Sequence, residues 1–453
     1  MLFAALRECK FSLQLTHSHS PEAPNDVNQE IQPRRQPHCQ PVLLFMLLHQ
    51  TDKLLIGPLQ TPIMDTFHMT YTQWGMINTG ALIVGALFVP LWGWLNDKYN
   101  RGRLLAIGSF IWGCTTWLSA VVTSFPAFLG TRSSTGIDDS CYPGMYSLLA
   151  DYFPPRQRGR VYGLLQVTSP IGYLLGMVLA LLLGGVLGWR SVFYITGSLG
   201  VLLSIAIFFG VQDIPRGSGE DELKQVELSK YKFNWRTALA LFKKRSLILI
   251  FAQGFIGSFP WNVITYYIFG YLATERGYGD TTQLMIMAPA VLVMAAGYPV
   301  AGALDDRLFK RDKRGRLIIS AIGIFLGALF LWICMRVPNE QVVLFAGFLF
   351  AAAFFMPFAS PNVLSTIYDI TLPEVRSSAN AIQTFVESSG SALAPLIAGI
   401  IADKIGVGSA ILWVCISTWA MCFLLINGAI LLIPRDMDDF HKQLQERAAE
   451  SAK

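Results

Sequence analysis

The chain has 453 residues, of which 53% are hydrophobic and only 14% charged, and its mean hydropathy is +0.45. A soluble globular protein carries about 25% charged residues, so this composition excludes a soluble enzyme, a collagen-like chain and a disordered chain. The net charge of +5 does not indicate nucleic acid as a partner, because the basic residues flank apolar runs.

Residues 1–40 are polar and rich in Pro, His and Gln, and we expect a disordered cytoplasmic tail there. Twelve apolar runs of about 20 residues follow, each long enough to cross a bilayer. Every backbone polar group in hydrocarbon must be satisfied within its own segment, so these runs are predicted to be helices. The predicted spans 1 to 12 are 43–63, 74–94, 104–123, 126–150, 161–186, 190–211, 247–272, 283–303, 317–335, 340–367, 378–402 and 409–433.

Lysine and arginine set the predicted orientation. With a cytoplasmic N-terminus, the inner loops hold most of these residues, and the outer loops hold only Arg190, Arg276, Arg336 and Lys404. This bias predicts that both termini are cytoplasmic. The longest charged loop, 212–246, is then a cytoplasmic linker between bundles at 41–211 and 247–433, and 434–453 is a second cytoplasmic tail. The localisation expected is a multi-pass protein of the plasma or inner membrane.

The two halves carry the same marks at the same places. Gly93 precedes Asp97 by four residues, and Gly302 precedes Asp306 by four. Behind spans 4 and 10 a second pattern recurs, in which an acid is followed by Pro four and Arg seven residues later: Asp151, Pro155 and Arg158, then Asp369, Pro373 and Arg376. The recurrence indicates an internal duplication of a six-helix unit. Parallel repeats of this kind are typical of secondary transporters, with the solute site between the halves.

These marks carry a resemblance to a known family. GWLNDKYNRGR (93–103) resembles motif A of the major facilitator superfamily, and RSSTGIDDS (132–140) resembles its motif B. The RxxxGxxDxxY pattern of span 4 and Asp52-Lys53 in span 1 are similar to the Spinster-type group, which usually has Glu where Asp139 stands. The resemblance implies an all-α membrane protein, with twelve transmembrane helices in two pseudo-symmetric six-helix bundles, that works by alternating access and is not an enzyme.

Six ionisable residues lie inside apolar spans, where each charge costs about 2.5–3.5 kcal/mol on insertion scales. They are Arg132, Asp139, Asp52, Lys53, Glu387 and Asp138. Arg132 and Asp139 are seven residues apart, which places them on one helix face about 10 Å apart, whereas Asp138 points about 100° away. We expect these residues to line a proton-coupling or solute cavity. Structural ion pairs between spans are the alternative for each of them.

Polar residues of spans 7 and 11 are weaker candidates for the solute cavity. They are Gln253, Asn262, Tyr266 and Gln383. Asn262 and Tyr266 are one turn apart on a helix, so they share a face. The alternative is that the aromatic residues of span 7 contact lipid or core.

The resemblance also implies a cytoplasmic gate, in which an Asp/Arg/Asp set clamps spans 2 and 4 together when the site faces out. Asp97, Arg101 and Asp151 form this set, and Asp306 and Arg307 with Asp369 form its second copy. The full set of predicted gate residues is Gly93, Asp97, Lys98, Arg101, Asp151, Gly302, Asp306, Arg307, Asp369 and Arg376.

The function predicted is secondary active transport of a small organic or amphipathic solute, coupled to protons. The Spinster resemblance favours a lysophospholipid-like, lipid-related solute. An organic-anion or drug transporter and a passive facilitator are the alternatives, and a polytopic membrane enzyme is a third. His49 is the only histidine in a predicted span and has no HxxxH partner, no GxxxxGK[ST] is present, and the seven cysteines lack metal spacing. We therefore expect no cofactor and no metal, a monomer, and membrane lipids as surroundings.

Overall fold

The computed structural model describes residues 40–152, 155–214, 244–371 and 376–451. In this part of the chain every regular element is a helix. The predicted tail at 1–40 lies outside the described residues except for Gln40, and so does most of the predicted linker at 212–246.

Six spans make up the first half. Span 1 is formed by Gln40–Leu55 with Gln60–Phe67, span 2 by Tyr71–Lys98 and span 3 by Arg101–Val121. Span 4 is formed by Phe125–Ser134 with Gly136–Asp139 and Tyr142–Tyr152. Span 5 is formed by Pro155–Val178, continued by Leu179–Leu183 and Gly184–Leu187, and span 6 by Trp189–Gly210. Local capping sets two of the starts. Thr70 and Gln73 form a reciprocal capping box at span 2, and the Asn100 side chain accepts from the Arg103 N–H at span 3.

Six further spans make up the second half. Span 7 is Arg245–Thr274, span 8 is Asp280–Phe309 and span 9 is Gly315–Cys334. Span 10 is formed by Val342–Phe355 with Met356–Phe358 and Ala359–Asp369. Span 11 is Arg376–Ile405 and span 12 is Val407–Ser451. Span 12 is longer than the predicted 409–433, because the helix continues through Pro434 into the polar segment. The predicted tail at 434–453 is therefore helical as far as Ser451, and its Asp438 pairs with Lys313 at 2.5 Å.

Nine single helices of the described chain are long and apolar enough to cross a membrane. Span 1 adds a tenth crossing as a helix pair bent by 54°. Spans 4 and 10 fail a single-helix criterion because each is interrupted, at Thr135 and Ser140 in span 4 and at Met356–Phe358 in span 10. The prediction of an all-α membrane protein with twelve spans is confirmed.

The packing of the spans repeats between the halves. In the first half span 1 packs on span 5, span 2 on span 4 and span 3 on span 6, and the second half repeats this as 7 on 11, 8 on 10 and 9 on 12. Across the halves, span 2 packs on span 11 and span 5 on span 8. The duplication makes span 2 equivalent to span 8 and span 11 equivalent to span 5. The contact between spans 2 and 11 is therefore equivalent to the contact between spans 8 and 5, and the bundles are related by the duplication read from the sequence.

The two halves close tightly at one end, here called the closed end, where span 2 begins and span 11 ends. Asp403 of span 11 accepts hydrogen bonds from the Tyr71 and Thr72 amides of span 2 at 2.8 and 2.9 Å. A Cβ at Gly399 would lie 2.2 Å from the Tyr71 carbonyl oxygen, so glycine permits this approach. The largest apolar core contains residues of both halves and includes this end.

The described hydrogen bonds between the halves lie toward the closed end, and the opposite end is here called the open end. A Cβ built at Gly93 or at Gly302 would meet nothing within 4 Å. By the charge bias of the loops, the closed end is the predicted outer end and the open end is the predicted cytoplasmic one.

Candidate functional site

Spans 1 and 4 bring two acid–base pairs together inside the membrane. The Lys53 ammonium lies 2.8 Å from Oδ2 of Asp139. One turn earlier on span 1, Nε2 of His49 lies 2.7 Å from Oδ2 of Asp138 and 3.7 Å from Oδ1 of Asp139. His49 and Asp138 are 2% and 1% exposed, whereas the side chains of Asp139 and Lys53 are 16% and 30% exposed. Two carboxylates and two bases thus share one cluster that is most deeply buried at His49 and Asp138.

The second ring nitrogen of His49 is also engaged. Nδ1 lies 2.5 Å from the hydroxyl of Tyr142, which accepts in turn from the Gln50 amide at 3.4 Å. With Asp138 ionised, Nε2–H donates to the carboxylate and Nδ1 accepts from Tyr142. The Trp112 ring packs edge-on to the imidazole at 5.3 Å, so the histidine is held from every side.

A broken helix explains why adjacent acids face one place. Regular helix geometry turns Asp138 about 100° from Asp139, and the sequence therefore predicts Asp138 as the weaker cavity candidate of the two. In the structure, Gly136–Asp139 is a separate short helical segment. A Cβ at Gly136 would lie 2.1 Å from the Ala81 carbonyl oxygen and 2.5 Å from the Gly85 nitrogen. Span 2 thus presses on the break, and both carboxylates reach His49.

Asp52 has a different environment from its neighbour Lys53. Its two carboxylate oxygens accept from the hydroxyls of Thr116 at 3.1 Å and Thr196 at 2.6 Å. These threonines belong to spans 3 and 6, and Asp52 is 3% exposed. The acid therefore ties span 1 to two neighbouring helices through hydrogen bonds rather than through the ion pair considered for it, and it also lines the cavity beside Lys53 and Asp139.

Arg132 is buried without full hydrogen bonding. The side chain is 5% exposed, and its guanidinium carbon lies 5.3 Å from the centre of the Phe193 ring. Its Nη1 is buried and has no hydrogen-bond partner. An unpartnered buried charge is costly, so this group is suited to an anion that enters the cavity.

These residues line a small cavity, here called the first-half cavity, of about 30 Å³, which holds one or two waters. Tyr266 of span 7 completes its wall from the other half. His49, Asp138 and Asp139 each offer one possible metal ligand, and the three atoms lie within 4.8 Å of one another. The Lys53 ammonium beside Asp139 opposes a second cation at this point.

A larger cavity of about 300 Å³, here called the second-half cavity, lies among spans 7 to 12. Gln253, Asn262 and Glu387 line it together with Trp261 and Trp419. Gln383 does not line it but donates to Glu387 at 2.6 Å from one turn away. The structure thus distributes the weaker candidates: Tyr266 faces the first-half cavity, and the other three lie in or behind the second-half one.

The gate of the first half is described only in part. Arg101 is 2% exposed, and its guanidinium contacts Asp213 at 2.9 Å and the Ser147 hydroxyl at 3.0 Å. Asp213, just after span 6, is a partner that the sequence did not indicate. The side chains of Asp97, Asp151 and Arg376 lie outside the described residues, so the predicted Asp97/Arg101/Asp151 clamp stays a prediction. Lys98 is exposed and packs over Trp94 at 5.0 Å.

The second copy of the gate differs from the prediction. Arg316, at the start of span 9, pairs with Asp369, and its Nε lies 3.5 Å from Oδ1 of Asp305. The neighbours Asp306 and Arg307, which the glycine spacing had indicated, are both exposed. The helix turn therefore points Asp305 inward, and the cation comes from the next span.

Two of the site's side chains were missed from the sequence. His49 stands four residues before Lys53, and this i, i+4 spacing on one helix face is the signal that could have included it. Tyr142 stands three residues after Asp139 and ends the RxxxGxxDxxY pattern of span 4, and this pattern is the signal that could have included it.

The sequence matches one family model and is similar to several known proteins. The family model described as Major Facilitator Superfamily matches residues 42–395 and 312–452 of the chain. "Protein spinster homolog 1" of Xenopus tropicalis is 23% identical over 389 residues, covering 82% of this chain and 73% of the relative. "Probable L-galactonate transporter" of Escherichia coli (strain K12) is 26% identical over 389 residues, covering 80% and 82%.

The fold is also similar to solved structures. A bacterial homolog of the human lysosomal transporter Spinster, solved in an inward-facing and occupied conformation, superposes with a TM-score of 0.72 at 17% identity. The match covers 89% of this chain and 96% of that one, so the two share a fold over nearly their whole length.

Proposed function

The chain belongs to the Major Facilitator Superfamily, a family of transporters rather than enzymes, and on that premise we propose that it is a proton-coupled secondary transporter of a small organic solute. It is a multi-pass membrane protein. In the proposed cycle, the two bundles rock around the cavities and expose them to one side of the membrane at a time.

One observation carries the coupling proposal: the buried cluster of His49, Asp138, Lys53 and Asp139. Carboxylates inside a membrane are costly and mark proton pathways. Lys53 and Asp139 pair at 2.8 Å in this closed-end state. Protonation of Asp139 would remove the attraction and free Lys53, so proton binding and cavity rearrangement are linked. This is how one carboxylate can couple a proton to the rocking of two bundles.

The solute proposed is an organic acid. The unpartnered Nη1 of Arg132 and the ammonium of Lys53 both lie at the first-half cavity, and an acid group would satisfy them. A planar guanidinium binds a carboxylate or a phosphate with two hydrogen bonds. The organic-anion alternative is therefore preferred, and a lysophospholipid-like solute, whose phosphate would fit the same group, remains the second candidate.

Orientation and surroundings belong to the same proposal. We place both termini, the linker at 212–246 and the segment after 434 on the cytoplasmic side, with the bundles at 41–211 and 247–433. The open end then faces the cytoplasm. The inward-facing state of the structurally similar Spinster homolog supports this orientation. We propose a monomer in a plasma or inner membrane.

Transport by the full chain in liposomes tests the proposal. Labelled gluconate, benzoate and lysophosphatidylethanolamine are supplied with an imposed pH gradient, and accumulation is measured with and without a protonophore. We expect one of the acids to accumulate only with the gradient and to leave chemically unchanged. Equal uptake with and without the gradient would indicate a passive facilitator, and an altered label would indicate an enzyme.

Asp139→Asn is the decisive variant, because it keeps the volume and removes titration. Accumulation should fall to the level without a gradient, while exchange of internal for external solute persists. Asp65→Asn, an exposed acid outside the cluster, is the matched control and should accumulate as the parent does. If Asp139→Asn also accumulates like the parent, the coupling role is wrong.

A further inference from the structure

One buried oxygen that lines the second-half cavity lacks a partner, and a second lies behind the cavity wall. Gln253 is 6% exposed and its Oε1 has no hydrogen-bond partner. Gln383, 4% exposed, uses its Nε2 on Glu387, while its own Oε1 is also unpartnered. A buried acceptor without a donor costs about 1–3 kcal/mol, so an incoming group that donates hydrogen bonds would be stabilised here.

Neighbouring groups have already used their donors. The Asn262 amide N–H donates to the Ser258 carbonyl oxygen at 2.9 Å, and the Ser258 hydroxyl donates to the Phe255 carbonyl oxygen at 2.8 Å. What these two side chains still offer is mainly lone pairs. Glu387 adds a carboxylate with one oxygen already bonded to Gln383. Ser360, Ser391 and Tyr298 also line the cavity, and their hydroxyls can donate or accept. The buried atoms left without a partner at this cavity are nevertheless acceptors, so the unmet demand here is for a donor.

The two cavities have opposite character. None of the described residues that line the second-half cavity is Lys, Arg or His, and Glu387 is its charged member. The first-half cavity has Lys53 and Arg132. An acid group is therefore favoured at the first, and groups that donate hydrogen bonds are favoured at the second.

The two cavities share span 7 as a wall. Asn262 lines the second and Tyr266 lines the first, and four residues along span 7 rise about 6 Å. That is the length of a short carbon chain of four or five bonds. Trp261 and Trp419 flank the second-half cavity, and their faces suit an ammonium group or the C–H face of a hydroxylated chain.

We infer that the second-half cavity is a subsite for hydrogen-bond donors, and that the solute is a small acid with hydroxyl or ammonium groups a few bonds from its acid group. This inference rests on the proposed function, because it assigns the other end of the same solute. A cavity of about 300 Å³ lies at the lower end of the range for ligand pockets, which favours such a solute over one with a long acyl chain.

Binding to the purified full chain, measured by calorimetry without any gradient, tests the inference. The probes share one acid group and a six-carbon chain: hexanoate has no donor, gluconate carries hydroxyls, and 6-aminohexanoate carries an ammonium. We expect gluconate or 6-aminohexanoate to bind at least about tenfold more tightly than hexanoate, the equivalent of one well-placed hydrogen bond.

Two variants locate the preference. Gln253→Leu should remove the advantage of the donor-bearing acid and leave hexanoate binding unchanged. Glu387→Gln separates the two chemistries, because it should weaken 6-aminohexanoate about tenfold while gluconate changes little. Gln341→Leu, the same exchange at the exposed N-cap of span 10, is the control. A single symmetric peak on size exclusion establishes that each variant is folded.

The outcomes separate the two claims. If hexanoate binds as tightly as both other acids, or if Gln253→Leu weakens all three alike, the donor subsite is wrong while an acid-binding transporter survives. If none of the acids binds and lysophosphatidylethanolamine does, the inference and the preferred solute of the proposed function fall together. A donor preference in binding with no gradient-driven uptake would leave the subsite standing and overturn the coupling.

Discussion

His49 is held by hydrogen bonds on both ring nitrogens, and Asp138 depends on it. The Asp138 carboxylate is 1% exposed, and its Oδ1 has no partner. Among the described residues, His49 is the side chain that hydrogen-bonds to its other oxygen. Removal of one member of such a pair leaves a buried charge or a buried polar group unsatisfied, whereas removal of both members does not.

The first prediction follows from this dependence. His49→Phe should destabilise the protein by about 3 kcal/mol, because it strands the Asp138 carboxylate. His49→Phe combined with Asp138→Leu should recover much of that loss. The measurement is the thermal midpoint of the purified protein in detergent, compared at one scan rate.

His68→Asn, on the segment just after span 1, is a control that should leave the midpoint nearly unchanged, because asparagine tolerates the left-handed backbone (φ 51°) at this position. His68 lies outside the cluster and is exposed. A double variant that is as unstable as His49→Phe alone would show that the pair is not the origin of the loss.

For the individual residues of the site, the sequence predicts some and misses others. The cost of charge in apolar spans singles out Lys53 and Asp139, and the structure brings them within 2.8 Å. His49 could not be recognised in the same way, since a neutral imidazole carries no such cost and its partners lie 89 and 93 residues away. The chemistry of a pair is visible in the sequence only when each member is unusual by itself.

Span 4 is the element whose form matters most for the site. Its interruptions allow Asp138 and Asp139 to face His49 together. Span 2 contacts the break at Gly136, where a side chain would collide with backbone atoms. The element is therefore shaped by its neighbour as much as by its own sequence.

The second prediction concerns this contact. Gly136→Ala should destabilise the protein by about 2 kcal/mol, because the added methyl must push span 2 away. Gly130→Ala in the same span is the matched control. No atom lies within 4 Å of a Cβ there, so alanine should be neutral or stabilise by up to about 1 kcal/mol through its helix propensity.

Thermal midpoints of the two variants and the parent give the comparison. Equal midpoints for Gly136→Ala and Gly130→Ala would mean that the contact with span 2 is not tight. Gradient-driven uptake should fall only in Gly136→Ala, since displacement of span 2 also moves the two acids.

The existence of the elements followed from the sequence, and their interruptions did not. Runs of about 20 apolar residues have no alternative to a helix in a bilayer, which is why all twelve spans appear. The breaks flank Gly136 and lie just before Pro143 and Gly144 in the sequence. Such residues also occur in intact membrane helices, so they did not by themselves identify a break, whereas the contact with span 2 at Gly136 depends on the fold. The extension of span 12 to Ser451 was missed because the predicted end followed hydropathy alone.

In the whole molecule, the two halves are related by the duplication, but the hydrogen bonds between them are unevenly distributed along the interface. The pairs formed by spans 2 and 11 and by spans 5 and 8 are equivalent by the duplication. Nevertheless, the described hydrogen bonds between the halves include several at the closed end. Asp403 binds the start of span 2, Trp74 donates to the Tyr266 carbonyl oxygen at 3.1 Å, and the Gly270 amide donates to Gln60 at 3.1 Å.

The third prediction tests this end as a gate. Asp403→Ala removes a carboxylate that accepts three hydrogen bonds from Tyr71 and Thr72. Loss of about 1.4 kcal/mol from the closed state increases the open population about tenfold. Thr135→Cys in the first-half cavity should then react about tenfold faster with an impermeant thiol reagent added outside intact cells.

Two reference variants make the labelling interpretable. Asp280→Ala removes an exposed acid at the start of span 8 and should leave the rate at Thr135→Cys unchanged. Glu340→Cys lies in the exposed loop between spans 9 and 10 and should react from outside if the predicted orientation is correct. No reaction at Glu340→Cys, together with rapid reaction at Ser218→Cys, would reverse the orientation of the whole molecule.

The duplication read from Gly93, Asp97, Gly302 and Asp306 predicts the pairing of the spans, because equivalent sequences fold into equivalent bundles. It does not predict which end is closed. Both states satisfy the same repeat, and the difference lies in a few hydrogen bonds across the interface. Only the structure therefore identifies the closed end.

The gate at the closed end also has a consequence for speed. Each time the empty carrier opens, it must break the hydrogen bonds that Asp403 and Gln60 accept and that Trp74 donates, with no solute bound to compensate. We therefore expect the return of the empty protein to limit turnover. Under such a limit, solute placed on the far side speeds up the release of label, because exchange bypasses the slow step. The turnover of this protein is therefore expected to depend less on how tightly it binds its solute than on how fast its empty closed end opens.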